Sequence, residues 1–181
     1  MDHDLQLLTR AAQLAEGAYD DDIPGAKKIE NKRTSTTAYL LRGQDIDYLT
    51  IRGTQRGFSL DWLFNALIIP FPVKGALIHL GFYLHLKGIL KEVRKELNPG
   101  KRLVLTGHSL GGAACETMAH LCRDFKAPVS LICWGKPNLF SRLKRCRLDH
   151  LAHHYSFCHG SDIVSRLPRY GFRPSSGDQL N

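Results

Sequence analysis

No run of this sequence holds enough uncharged apolar residues to cross a bilayer, so a membrane-spanning helix is not expected. The opening residues, MDHDLQLLTR, lack the basic head and apolar stretch of a secretory leader. Cysteine is sparse and unpatterned: Cys115, Cys122, Cys133, Cys146 and Cys158 form no CxxC pair. An odd count without a leader points to free thiols in a reducing compartment, packed as small apolar side chains. The expectation is a cytoplasmic protein, peripheral to membranes at most. Acids are also short, 17 against 25 Lys and Arg, leaving a net charge of +8. That excess attracts anionic surfaces without choosing among lipid, nucleic acid and an acidic partner. Three acids do occur together, Asp20 to Asp22, but no EF-type spacing follows them. They read as a solvated helix end.

What is present suits one globular domain, residues 1–181, with 43% apolar residues and no repeat or linker. Leu8, Ala11, Ala12, Ala15 and Ala18 recur at helical spacing, and DDDIPG ends that helix. TTAYLLRG and YLTIRGT read as a strand pair around Gln44 and Asp45. SLDWLFNALIIPFPVKGALI is apolar but irregular, broken by Pro70 and Pro72. From Leu80, Phe82, Leu86, Ile89, Leu90, Val93 and Leu97 share one helix face until Asn98-Pro99-Gly100. RLVLT, VSLICWG and AHHYSFC read as strands, with a helix over 113–123 between the first two. This alternation predicts an α/β layer structure whose ligands gather at the carboxyl ends of the strands.

LVLTGHSLGGAA places Ser109 between glycines, directly after a strand and directly before a helix. Gly107-His108-Ser109-Leu110-Gly111 therefore fits the G-x-S-x-G nucleophile elbow. A serine there takes a strained backbone, its hydroxyl lifted above the sheet edge. The Leu110 amide, at the helix start, can donate to a developing oxyanion. An incidental serine in a tight turn is the alternative reading of the elbow alone.

Beyond the elbow the chain resembles the class 3 lipases, the family of fungal triacylglycerol lipases and their relatives. The resemblance rests on IRGT (51–54), DWLFN (61–65), HLGFY (79–83), TGHSLGGA (106–113), WGKPNLF (134–140) and SDIVSRLP (161–168), in that order. It implies an α/β-hydrolase fold of the lipase type, a central mixed, mostly parallel sheet flanked by helices. It also implies Ser109 as nucleophile, Asp162 as triad acid, and Thr54 with Leu110 as the oxyanion hole. Residues 65–78 would be the lid, or else a buried connecting loop. By the same resemblance His108 and Trp62 pack or hold the turn, Arg52 and Asp61 form a bracing ion pair, and Pro137 shapes a loop. The expected activity is cleavage of carboxylic esters of lipids, acylglycerol or phospholipid, with no metal or organic cofactor.

The family's general-base histidine follows the acid, whereas here the last histidine is His159. Three readings of that lack stand open. The chain is shortened; another histidine stands in; or the fold serves as a lipid, membrane-surface or partner-binding module. His159 is the leading stand-in, with His153 and His154 lower on the same strand. If that strand alternates through, His153 and His159 face one way and His154 the other. Even without the base, an oxyanion hole leaves an advantage of roughly 10³ to 10⁴ over water.

The basic residues fall in three groups: Arg142, Lys144, Arg145 and Arg147; Lys87, Lys91, Arg94 and Lys95; and Arg166, Arg169 and Arg173. The second reads as a solvated helix face. The third follows Asp162 and could draw an anionic headgroup or membrane surface. No aromatics are interleaved with the basic residues as a nucleic-acid module requires.

Overall fold

A computed structural model describes residues 2–53, 68–144, 146–160, 162–168, 171–174 and 178–180. Its centre is a seven-stranded sheet in the order β1-β2-β3-β6-β7-β9-β11. The strands are β1 (Lys27–Asn31), β2 (Thr36–Arg42), β3 (Ile46–Ile51), β6 (Arg102–His108), β7 (Val129–Trp134), β9 (Leu151–Phe157) and β11 (Asp178–Leu180). From β3 onward every neighbour is parallel, and the antiparallel pairings, β1 with β2 and β2 with β3, lie at one edge. Parallel neighbours need crossovers. Helix α2 (Leu80–Glu96) lies between β3 and β6 in the chain, and α3 (Leu110–Leu121) between β6 and β7. This is the expected α/β-hydrolase layout.

Helix α1 (Asp2–Gly17) covers one face of the sheet, where Leu7 and Ala11 pack on Val104 and Ile132. Helices α2 and α3 cover the other, where Phe82, Leu86, Ile89 and Val93 meet Leu105, Met118 and Leu131. Leu103, Val104 and Leu105 are buried on both faces, which is why this stretch of β6 reads as an unbroken apolar run. Each large side chain so buried contributes about 1.5–3 kcal/mol. Every residue of α3 is buried. Its small first turn, Leu110-Gly-Gly-Ala-Ala, lets the helix lie close against the strands.

A second, four-stranded sheet runs β10-β8-β5-β4, from β10 (Phe172–Arg173), β8 (Phe140–Ser141), β5 (Ala76–His79) and β4 (Pro70–Val73). The sequence hid it because Pro70 and Pro72 lie inside a strand. Proline is tolerated there because β4 is an edge. The hairpin takes in the second half of the candidate lid: Ile78 pairs with Phe140, and Val73, Ala76 and Ile78 are buried. A segment 65–78 that swung as one piece would have to surrender those contacts. Residues 65–67 lie outside the described residues.

Candidate active site

Strand β6 ends at His108 and α3 begins at Leu110, leaving Ser109 alone in the elbow with φ 54° and ψ −126°. A non-glycine residue held there stores about 1–3 kcal/mol of strain. Two bonds keep it in place: its amide donates to the Trp134 carbonyl at 3.0 Å, and its carbonyl accepts from the Ala113 amide at 3.2 Å. The flanking glycines are required by space. A Cβ on Gly111 would strike the Ile51 carbonyl, and one on Gly107 would lie 2.7 Å from the Gly111 carbonyl carbon. The Leu110 amide occupies the first helical turn, where no intrahelical acceptor exists and the helix dipole favours negative charge. Ser109 is 9% exposed, so it lies at the floor of the site instead of standing clear of it.

Asp162 sits in a turn beyond the end of β9. Its amide donates to the His159 carbonyl at 2.7 Å, and its Oδ1 accepts from the Val164 amide at 2.9 Å. The carboxylate's other oxygen addresses Gly135, which has φ 53°: a Cβ there would come within 2.7 Å of Oδ2. Gly135 follows Trp134, the residue that receives the Ser109 amide. Ser109 and Asp162 therefore both stand at the carboxyl edge of the parallel strands, over β6, β7 and the end of β9.

Of the three candidate bases, His153 and His154 lie in the strand and His159 does not. Strand β9 stops at Phe157, so its period does not reach His159, whose exposed side chain belongs to the Asp162 turn. His153 and His154 pair inside the strand with Ser130 and Leu131, away from its carboxyl end. His153 stacks on Tyr155, with ring centroids 5.9 Å apart.

The residue whose placement sequence reasoning missed is His108. Its Nδ1 lies 3.0 Å from the Tyr19 hydroxyl, and its Nε2 lies 3.3 Å from the same Gly135 Cβ position that Asp162 approaches. Burial pulls the imidazole below its ordinary pKa, and the Asp162 charge opposes that pull. Its place as the last residue of β6, beside the nucleophile at the ligand edge, was the available signal.

Thr54, Asp61, Trp62 and Asn65 lie outside the described residues. Arg52, expected to pair with Asp61, donates to Asp21 Oδ1 at 2.9 Å and to Thr37 Oγ1 at 2.9 Å. Asp21 has φ 54° and also receives Tyr39 and Lys28. The three acids are thus more than a solvated helix end, because the middle one braces the strand that leads to the oxyanion segment.

Below the elbow, Lys136 and Glu116 form a buried ion pair at 3.1 Å. About 18 Å along α3 from Ser109, by helix rise, a cavity of about 470 Å³ is lined by His120, Arg123, Cys146, Arg147 and His150. Arg94, read as part of a solvated face, donates to the Leu121 carbonyl at 3.0 Å and so ties α2 to the end of α3. Of the third basic group, Arg166 donates to the Gly160 carbonyl at 3.0 Å beside the Asp162 turn. Arg173 belongs to β10 in the second sheet, and Arg169 lies outside the described residues.

The fold and the elbow together define a lipase-type α/β hydrolase architecture. The sequence matches the family Lipase (class 3) over residues 48–172, and the chain belongs to that family. It is 30% identical over 113 residues to a secreted mono- and diacylglycerol lipase of Fusarium solani, covering 58% of this chain and 34% of that protein. It is 37% identical over 137 residues to a lipase of Rhizopus niveus, covering 60% and 35%. The chain thus spans about a third of the length of these fungal relatives. Among solved structures, the lipase of Rhizopus microsporus var. chinensis superposes with a TM-score of 0.77 at 24% identity, over 99% of this chain and 75% of that one.

The cytoplasmic expectation is corrected here, because the Fusarium relative is a secreted enzyme. The thiols never required a reducing compartment: Cys115, Cys122, Cys133 and Cys146 are free and buried as packing side chains.

Proposed function

We propose that the chain hydrolyses carboxylic esters of lipids, acylglycerols or phospholipids, through an acyl intermediate on Ser109. The observation that carries this reading is Ser109 held at φ 54° and ψ −126° as the single residue between the end of β6 and the start of α3. In this mechanism Ser109 Oγ attacks the ester carbonyl, and the Leu110 amide receives the oxyanion together with Thr54. An imidazole supported by the Asp162 carboxylate has to take the serine proton and return it to the leaving alcohol, and His159, in the same turn as Asp162, is the sequence's candidate for it. Water then repeats the sequence on the acyl-enzyme.

A lipid surface is the favoured source of substrate. Ile68, Ile69, Phe71 and Leu84 are exposed, and Phe71 stacks on Tyr83 at 5.5 Å, giving an apolar rim in the hairpin and the adjoining helix. The net charge of +8 would hold such a rim against anionic lipid.

The test is hydrolysis of nitrophenyl esters and of diacylglycerol in anionic vesicles by the wild-type chain and by Ser109→Ala. Turnover that disappears in the variant supports the reading. Equal rates in both proteins overturn it.

A further inference from the structure

The far end of α3 carries a second cluster, about 18 Å from Ser109 along the helix axis. There the cavity of about 470 Å³ opens between the β4–β5 turn and the segment leading into β9. Its wall includes His120, Arg123, Cys146, Arg147, Asp149 and His150. The carboxyl end of a helix ordinarily repels anions, because its last carbonyls have no intrahelical donor. Here those carbonyls are taken. The Leu121 carbonyl accepts from Arg94 at 3.0 Å and from Lys74 at 3.3 Å, and the Ala119 carbonyl lies 2.9 Å from His150 Nε2. Cations and donors thus offset the negative pole of the helix.

The two imidazoles have settled protons. A carbonyl only accepts, so Nε2 of His150 donates to Ala119, and Nε2 of His120 donates to Val73 at 3.0 Å. Burial holds both rings below the ordinary histidine pKa, and the Arg123 charge pulls the same way. Both are neutral near pH 7, so Arg123, Arg147 and Asp149 set the charge of the wall. Arg123 gives Nη2 to the Arg147 carbonyl at 2.6 Å and to Cys146 Sγ at 3.6 Å. Among the described residues its other two nitrogens have no partner. The Arg147 guanidinium meets Asp149 at 3.8 Å, with both side chains largely exposed, a pairing worth little in water. Two guanidinium forks therefore border a space that holds one weakly engaged acid.

We propose that this cavity is a second ligand site, taking a phosphate group borne by a small organic molecule or by a lipid headgroup. Guanidinium forks match the oxygens of phosphate in bidentate fashion. The volume lies in the range of small-ligand pockets and exceeds what a bare phosphate fills. The site makes no use of Ser109 and stands apart from the ester chemistry.

The test follows the ring resonances of His120 and His150 by NMR while inorganic phosphate or glycerol 3-phosphate is added. Both rings should shift saturably. Arg147→Gln, at an exposed position, should weaken binding about tenfold or more. Lys87→Gln removes the same charge from the exposed face of α2 and should weaken it by less than about twofold. Vesicles of phosphatidylcholine with and without phosphatidic acid separate the two sources of phosphate. Saturation by a soluble anion assigns a small phosphorylated molecule, and co-sedimentation that needs both phosphatidic acid and Arg147 assigns a headgroup. Either result supports the site. No saturable shift with the soluble anions, together with no Arg147-dependent co-sedimentation, overturns it, and so does equal weakening by Arg147→Gln and Lys87→Gln.

Discussion

Arg52 reaches back 31 residues to Asp21, its guanidinium 2.9 Å from Oδ1, and ties the strand before the oxyanion segment to the turn after α1. The same guanidinium holds Thr37 Oγ1 at 2.9 Å, so both prongs of the fork are used. Arg52→Lys keeps the charge and loses the fork. It should cost about 1 kcal/mol in urea unfolding, a modest figure because Asp21 is half exposed.

Asp21 also sets an acid limb. Its carboxyl is held below the ordinary carboxylate range, chiefly by the hydrogen bond from Tyr39 and then by Lys28 and Arg52. A carboxyl whose folded pKa lies below its unfolded value adds stability above the unfolded pKa, and loses it as pH falls through the folded one. Asp21→Asn should therefore flatten the decline in melting temperature below about pH 4 and lower the melting temperature near neutrality.

Buried histidines act in a milder window. His79 is stacked on Phe82 at 4.1 Å and beside Phe172 at 5.1 Å, and neither of its ring nitrogens has a hydrogen-bond partner among the described residues. Burial lowers its pKa to about 4, and burial likewise lowers that of His85 to about 4. The unfolded chain takes up protons near the ordinary histidine value while the folded chain does not. Stability should thus be full above about pH 6.5 and fall between there and pH 4. His79→Leu should lessen that fall in a pH series of thermal melts.

The elbow predicts an ordering among glycine substitutions. Gly111→Ala drives a methyl into the Ile51 carbonyl and should cost several kcal/mol, on the order of 3 or more. Gly160→Ala meets nothing within 4 Å and should stay within about 0.5 kcal/mol of wild type. Chemical denaturation of the two variants compares them directly.

The Lys136–Glu116 pair, 3.1 Å apart and almost wholly buried, predicts non-additivity. Lys136→Met alone should destabilise by about 3–5 kcal/mol, because it leaves a carboxylate inside the protein. Adding Glu116→Gln should recover much of that loss. A double-mutant cycle in urea gives the coupling.

Much of this was readable from residue order. The buried run of β6, the glycines of the elbow and the amphipathic face of α2 each carry a local signal strong enough to place them. Ser109 and Asp162 followed, because parallel strands bring their ligands to one edge. The second sheet was not readable: its strands are short, its prolines look like breakers, and only the tertiary pairing of Ile78 with Phe140 makes them strands. Nor could the sequence show that β9 ends two residues short of His159, or that Asp21 meets Arg52. Those facts depend on contacts between residues far apart in the chain. His108 was read as packing because nothing in the sequence reveals that its ring meets the Tyr19 hydroxyl.

The most direct measurement of the central claim is mass spectrometry of the chain after exposure to a fluorophosphonate. The account predicts a single adduct, mapped to the peptide carrying Ser109 and lost in Ser109→Ala. A folded chain that takes up no adduct, or takes it up equally when residue 109 is alanine, would contradict it.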